Sequence, residues 1–405
     1  MQKNKQRKNR KKFILIALLI IIAGSVYYLN SMKVKINMPT ENKNISIGLA
    51  EGEKKETTES AKNTKNAAND YIKDEGAIKK KSLIYQKAPE LSGIDGYINT
   101  DKDIKIENLK GKVVLVDIWT YTCINCIRTL PYLKKWYEKY ADDGLVIIGV
   151  HSPEFEFEKK YENVKEAAEK YQLKYPIVLD NEHQTWNAYN NRYWPHKYLI
   201  DIDGFVRFDH VGEGGYDETE KIIQELLQER MDRIGKGKIK DDMAEPSDAP
   251  DVDFSKIRTP EIYLGYEFTR GNFGNPEGLP AEQIVDYATP KVVKPNNIYL
   301  EGKWKINRDN AELVGDVGRI LLGYDAKSVN IVASSGQGTL ISTYLDAQSL
   351  NETEKGSDIK IINKQGTAYI KDEKLYNLVD YDYDSHLLEL IIKGKGFKIY
   401  TFTFG

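Results

Sequence analysis

The chain has 405 residues, with 59 Lys and Arg against 61 Asp and Glu, for a net charge of −2. That length exceeds one ordinary domain, and the balanced charge excludes the broad basic footprint of a nucleic-acid binder. With 2 cysteines in the whole sequence, a disulfide-dense secreted scaffold is excluded as well.

Residues 1–12 hold seven Lys or Arg and no acid, and residues 13–30 are mostly apolar. A basic end followed by an apolar run near the lower length limit for a spanning helix predicts a single N-terminal membrane helix. The partial small-residue exit at Ala23-Gly24-Ser25 is followed by Val26-Tyr27-Tyr28-Leu29, which favours an uncleaved anchor over a cleaved signal. The positive-inside rule then leaves 1–12 in the cytoplasm and carries the rest of the chain outside. Residues 31–82 are rich in Lys, Glu, Asn and Thr with few large apolar side chains, and read as a disordered tether.

A first folded domain is expected over 83–236. Strand-length apolar runs fall at Val113 to Ile118, Leu145 to Val150, Ile177 to Leu179, Tyr198 to Ile202 and Val206 to His210, with amphipathic stretches between the first three. This alternation predicts an α/β layer, with Asp203-Gly204 as a hairpin turn and a closing helix from Asp217 to Ile234. Both cysteines, Cys123 and Cys126, stand in a C-x-x-C directly after the first strand. A helix starting there puts the first sulfur at the positive end of a helix dipole, which favours a negative sulfur, so Cys123 is the expected nucleophile and Cys126 the resolving thiol. C-x-x-C is also half of a zinc site, but no second cysteine pair exists, and the scattered His151, His183, His196, His210 and His386 would have to complete it. No metal is expected.

Residues 237–257 are acidic and proline-containing and read as a linker. From 258 to 405 short runs such as Gly318 to Tyr324, Ser328 to Ala333, Leu340 to Leu345, Leu387 to Ile392 and Phe397 to Phe404 alternate apolar and polar residues between Gly, Asp and Asn turns. That pattern predicts an all-β sandwich, jelly-roll-like, with Trp304, Tyr324 and Tyr344 in its core.

The segments Ala88-Pro89-Glu90-Leu91, Trp119 to Pro131, Gly149 to Phe155 and Trp194 to Asp201 resemble the exported TlpA/ResA-type thiol-disulfide oxidoreductases, and most of all the soluble part of DipZ-like proteins. The resemblance covers roughly residues 86–235 and implies a thioredoxin-like fold. It also implies that Asp117 is a buried carboxylate able to accept the Cys126 proton, that Pro195 is cis beside the cysteines, and that Pro131 shapes the cysteine helix. On the residues alone, Asp117 could instead face solvent or make a structural hydrogen bond. Trp119, Tyr121 and Trp194 are candidates for an apolar collar that meets the substrate, or are ordinary packing. Glu154 and His151, beyond the end of the second strand, either tune the site or cap the following helix.

Thr259 to Tyr266, Leu375 to Val379 and Tyr400 to Gly405 resemble the C-terminal domain of DipZ-like proteins, which looks like a carbohydrate-binding module. A glycan or cell-wall ligand is implied by that likeness alone. DipZ-like proteins begin with a multi-helix electron-carrying membrane domain that this sequence lacks, so a reductase would need a separate CcdA-type donor. The expected function is anchored extracytoplasmic exchange of disulfides with protein substrates, with no cofactor beyond the Cys123–Cys126 pair. The alternatives are a thiol peroxidase, for which Thr120 is suitably placed but Val116 replaces the upstream proline, and a wall-binding protein with an inactive thioredoxin-like spacer.

Overall fold

The computed structural model describes residues 72–101, 104–250 and 252–405. The expected basic end, membrane anchor and most of the tether lie outside the described residues. Among the described residues no helix is long and apolar enough to cross a membrane, and all of them fall in one compact unit.

Structure begins inside the stretch expected to be a disordered tether. Helix α1 (Glu75–Lys81) is capped by Asp74, whose carboxylate accepts the Gly76 and Ala77 N–H groups at 2.9 and 3.0 Å. It buries no residue of its own. Its last residue is the reason it is held: Lys81 Nζ lies 2.7 Å from Asp201, 2.5 Å from Asp203 and 2.5 Å from Glu229. Arg207 and Arg233 complete this cluster, so the polar tail is recruited by buried charge rather than by apolar area.

A six-stranded sheet follows: β1 (Gly96–Ile98), β2 (Val113–Trp119), β3 (Leu145–His151), β4 (Ile177–Leu179), β5 (His196–Ile200) and β6 (Val206–Val211), in the order β1-β4-β3-β2-β5-β6. Strand β2 is central, parallel to β3 and antiparallel to β5. All seven of its residues are buried, and their parity divides two cores. Val114, Val116 and Ile118 pack on one face with Tyr189 and Tyr198. Val113, Leu115 and Trp119 pack on the other, under helices α2 (Ile124–Tyr140), α3 (Tyr161–Lys170) and α5 (Tyr216–Arg233); a short α4 (Gln184–Ala188) precedes β5. The expected strand at Tyr198 to Ile202 is shifted to His196–Ile200. It stops early because Asp201 turns the chain, its carboxylate accepting the N–H groups of Asp203 and Phe205, both at 3.0 Å.

The C-terminal region is β-rich. Its strands are β7 (Ile262–Tyr263), β8 (Ile284–Tyr287), β9 (Ile298–Ile306), β10 (Ala311–Leu313), β11 (Val317–Ser335), β12 (Thr339–Leu345), β13 (Gln348–Ser349), β14 (Ile359–Ile362), β15 (Gln365–Ile370), β16 (Lys374–Lys393) and β17 (Phe397–Phe404). They form one sheet of 11 strands. The runs expected as separate strands at Gly318 to Tyr324 and Ser328 to Ala333 are one 19-residue strand, and Leu375 to Val379 joins Leu387 to Ile392 in another of 20 residues. The turn-forming residues between them mark register shifts at Ala326/Ser328 and Val329/Asn330 instead of chain reversals. Strand β11 therefore pairs with β9 through its first half and with β17 through its second, and the sheet curls around a core containing Trp304 and Tyr324, both buried as expected. Tyr344 is only partly buried.

The two regions share a core. Tyr263, Val332 and Tyr400 of the β-domain belong to the same apolar cluster as Trp119, Cys126 and Leu130.

Candidate active site

Strand β2 ends at Trp119, and four residues later Cys123 forms the N-cap of α2 in an extended conformation, with φ −72 and ψ 115. Its sulfur accepts the Cys126 N–H at 3.4 Å. This is where a helix leaves unpaired N–H groups, so Sγ replaces the usual Ser or Asp cap. Cys123 is half-buried and Cys126, one turn into the helix, is buried; both are free thiols. Burial pushes the Cys126 thiol well up, reinforced by Cys123 and Asp117 and opposed by a backbone hydrogen bond from Thr120. A half-buried first sulfur is thus paired with a buried second one that burial holds protonated.

Asp117 lies on the same face of β2 as Trp119. In register it stands between Gly149 on β3 and Lys197 on β5. It is 1% exposed, and its Oδ1 has no hydrogen-bond partner. Burial raises its carboxyl to about 7, with Lys197 pulling the other way. Lys197 is itself fully buried, with Nζ donating to the Gly212 carbonyl at 3.0 Å and lying 5.7 Å from the Tyr216 ring centre. Burial lowers its ammonium, while Asp117, Cys126 and Glu213 counter that shift. Asp117, Lys197 and Cys126 are therefore one electrostatic unit. Gly149 lets Trp119 and Tyr175 close in beside it: a Cβ there would come within 3.0 Å of Trp119 Nε1 and 3.2 Å of Tyr175 Cε2. Lys197 escaped the sequence reading; its signal was a lysine inside an otherwise apolar strand.

The Trp194–Pro195 peptide is cis. Because β5 runs antiparallel to β2 with His196 opposite Ile118, Pro195 sits at the end of the sheet from which the cysteine loop emerges. Its carbonyl accepts the Gly212 N–H at 2.8 Å. Trp194 is partly exposed, donates Nε1 to the Ser152 carbonyl at 2.9 Å and packs on Trp186 at 4.3 Å.

The other aromatic candidates do not form a collar. Trp119 is 0% exposed, a core residue. Tyr121 is buried too, its hydroxyl donating to the Glu373 carbonyl of the β-domain at 3.1 Å. His151 is fully buried, stacks on Tyr121 at 5.7 Å, and is held neutral by burial, its pKa falling to about 3.

Glu154 points to the β-domain, its carboxylate accepting the Tyr263 hydroxyl at 2.7 Å. Burial, then neighbouring Glu158, raises it to about 8. Glu158, which the sequence reading passed over, is fully buried. One of its oxygens accepts the Thr122 hydroxyl at 2.5 Å, and the other accepts the N–H groups of Glu154 and Phe155 at 2.6 and 3.0 Å. Burial raises its carboxyl, opposed by the Thr120 hydroxyl and by those hydrogen bonds.

Arg128, in the second turn of α2, also bridges the regions, reaching the Phe404 carbonyl at 3.2 Å and Glu213 at 3.3 Å. Two adjoining clefts run between the α2–α3 surface and the β-domain, of about 660 and 430 Å³. Tyr121 lines the first, Ile124 and Ile127 line the second, and Tyr171 and Leu375 are common to both. Among the described residues one acidic grouping has metal-binding spacing, Asp201, Asp203 and Glu229. It is already neutralised by Lys81, Arg207 and Arg233.

A C-x-x-C at a helix N-terminus, beside a buried carboxylate and a cis-proline loop on a central sheet, defines a thioredoxin-like redox protein. Residues 84–209 match the AhpC/TSA family and residues 259–405 the family described as thioredoxin like C-terminal domain. Protein DipZ of Mycobacterium bovis is 40% identical over 255 residues, covering 62% of this chain and 36% of DipZ. The chain thus spans about a third of the length of that relative. Thiol-disulfide oxidoreductase YkuV of Bacillus subtilis is 30% identical over 145 residues, covering 36% of this chain and 96% of YkuV. Thiol-disulfide oxidoreductase ResA of Bacillus cereus is 31% identical over 153 residues, covering 37% of this chain and 82% of ResA. The chain belongs to the TlpA/ResA-type thiol-disulfide oxidoreductases.

Proposed function

We propose that this protein exchanges disulfides with protein substrates outside the cytoplasm, acting as a reductase. The Cys123 thiolate attacks a client disulfide, forming a mixed disulfide and releasing the first client thiolate. The Cys126 thiol then gives its proton to Asp117 and attacks Cys123 Sγ. The second client thiolate leaves and the Cys123–Cys126 disulfide forms, so two electrons pass to the client. The observation that carries this reading is the burial of Cys126 beside Asp117. A thiol pushed well up needs a base when it attacks, and a carboxyl near 7 is matched to that task at neutral pH.

Pro195 and partly exposed Trp194 stand beside the cysteine loop and form the rim against which a client chain lies. The clefts flanking Ile124 and Ile127 extend that rim. Repeated turnover needs two electrons returned to the pair, and a CcdA-type membrane carrier is the donor we assign. The apolar run at 13–30 supports a single-pass anchor that holds the enzyme close to such a carrier. We take 83–236 as the redox domain, 237–257 as a linker and 258–405 as a jelly-roll-like sandwich. A glycan ligand for the latter finds support in Leu340 and Tyr369, a cross-strand pair exposed by 55% and 57%.

The test is Cys126→Ser in the full chain in its native membranes. Mixed disulfides on Cys123 should accumulate and yield client proteins by mass spectrometry, and Cys123→Ser should remove them. Absence of trapped species with Cys126→Ser, while the wild type is redox-active, would reject protein-disulfide exchange.

A further inference from the structure

Thr122 immediately precedes the proposed nucleophile, and its side chain turns inward, 1% exposed, to Glu158. Glu158 comes 36 residues later in the chain, in the loop that follows β3. A buried carboxylate is costly unless its lone pairs are filled. Here three donors fill them: the Thr122 hydroxyl and the N–H groups of Glu154 and Phe155. The same loop is fastened to the β-domain. Glu154 accepts the Tyr263 hydroxyl at 2.7 Å, Tyr263 also reaches Glu261 at 3.2 Å, and Arg270 covers the Tyr263 ring at 4.6 Å. Phe155 and Phe157 pack against Tyr400 with ring centres 5.2 and 4.8 Å apart. A continuous buried path therefore runs from the residue beside Cys123 to the β-domain.

We propose that Glu158 is a positioning residue for thiol exchange: through Thr122 it fixes the loop that presents Cys123, and through the Glu154–Tyr263 contact the β-domain sets that position. This inference rests on Cys123 being the attacking thiol. Glu158 touches neither sulfur and acts by geometry. The cap hydrogen bond from the Cys126 N–H to Cys123 Sγ exists only if residues 120–123 hold their turn, and Thr122 is the anchor of that turn next to the sulfur, beside Thr120 on His151 and Tyr121 on the Glu373 carbonyl.

A cap for the 3-10 turn at Glu156–Lys159 would use the same N–H groups, so the variants must separate the two roles. Thr122→Val removes only the hydroxyl on the cysteine side and leaves the turn's cap intact. Glu158→Ala removes both. Glu158→Gln can still accept the two N–H groups through its carbonyl while its amide donates to Thr122. Tyr263→Phe removes only the hydroxyl on the β-domain side.

The readouts are the alkylation rate of Cys123 at fixed pH in full-length reduced protein and the equilibrium of the cysteine pair with glutathione. Loss of the Thr122–Glu158 hydrogen bond, which both variants remove, predicts a roughly tenfold slower alkylation for Thr122→Val and at least that for Glu158→Ala, which also frees the Glu154 and Phe155 N–H groups. A similar change in the equilibrium constant would be a shift of about 30 mV toward a more reducing pair. Tyr263→Phe should move both in the same direction by about threefold, because its contact reaches the cysteine turn only through Glu154 and Glu158. Glu158→Gln should return to within about twofold of wild type, since its amide can satisfy the same partners.

Thr122→Val at the wild-type rate overturns the proposal, and so does Glu158→Gln behaving like Glu158→Ala. An unmoved Tyr263→Phe overturns the β-domain's part in it. Should Glu158→Ala not fold, Thr122→Val and Tyr263→Phe decide the matter alone. If Cys123→Ser in the wild-type background leaves exchange intact, the functional reading itself fails, a result distinct from all of these.

Discussion

Replacing Asp117 with Asn should separate stability from chemistry at one atom. Folding raises this carboxyl from 3.8 to about 7, the reverse of the usual aspartate. The folded state then binds a proton that the unfolded state releases, so stability is greatest below 3.8 and is lost as pH rises, levelling off above about 7. The gap amounts to about 4 kcal/mol at full ionisation. Asparagine keeps the volume and cannot ionise, but it leaves Lys197 without its counter-charge, so the expected net gain at pH 8.5 is about 1 to 3 kcal/mol. That gain should shrink toward zero or reverse near pH 4. Urea unfolding of the reduced protein at pH 4, 6 and 8.5 measures it. Stopped-flow decay of a mixed disulfide on Cys123 measures the second effect: without the acceptor, resolution by Cys126 should slow by about a hundredfold, and its inflection near 7 should vanish. A stability difference independent of pH, or an inflection that persists in the Asn variant, would refute the argument that the buried carboxyl titrates and takes the proton.

Lys197→Met removes the cation that holds Asp117 down, so the inflection in the resolving step should move upward by about one pH unit, read from the same decay at several pH values. Arg128→Ala leaves the Glu213 carboxylate half-stranded and frees the Phe404 carbonyl. It should cost about 3 kcal/mol in unfolding experiments. Because burial already raises Glu213 to about 6, that loss should be larger at pH 8 than at pH 5, where the carboxyl can take a proton instead.

The strands of the redox domain were readable because β2 and β3 are apolar along nearly their whole length, as strands buried on both faces are. The position of Asp117 was readable too, and with it that of Trp119. Side chains two apart share a strand face, so a carboxylate turned toward Cys126 carries Trp119 into the same core, which excludes that indole from a client surface. Lys197, Glu158 and Arg128 were not legible. Thr122 is 36 residues from Glu158, Phe404 is 276 from Arg128, and Asp117 faces Lys197 from a neighbouring strand, and no local pattern encodes such meetings. The long strands β11 and β16 were broken up in the reading because Asp, Lys and Ser mark turns and bulges alike. Only pairing along their full length decides between the two.

Tyr121, which the sequence leaves open between a collar and ordinary packing, shows what the β-domain does to the site. An aromatic two residues before a reactive cysteine would lie open in an isolated redox domain. Here its hydroxyl is held by the Glu373 carbonyl, its ring stacks on neutral His151, and Phe157 packs edge-on at 6.3 Å. Phe155 and Phe157 are each at most 4% exposed, and covering two such rings contributes about 3 to 6 kcal/mol. Without the β-domain that surface, Tyr121 included, would face water beside the cysteine loop. A partner that covers apolar area and also closes the Glu154–Tyr263 contact makes the redox domain's shape conditional on the second domain. Thiol exchange is sensitive to sulfur placement, so a domain with no redox group of its own can still govern the reaction.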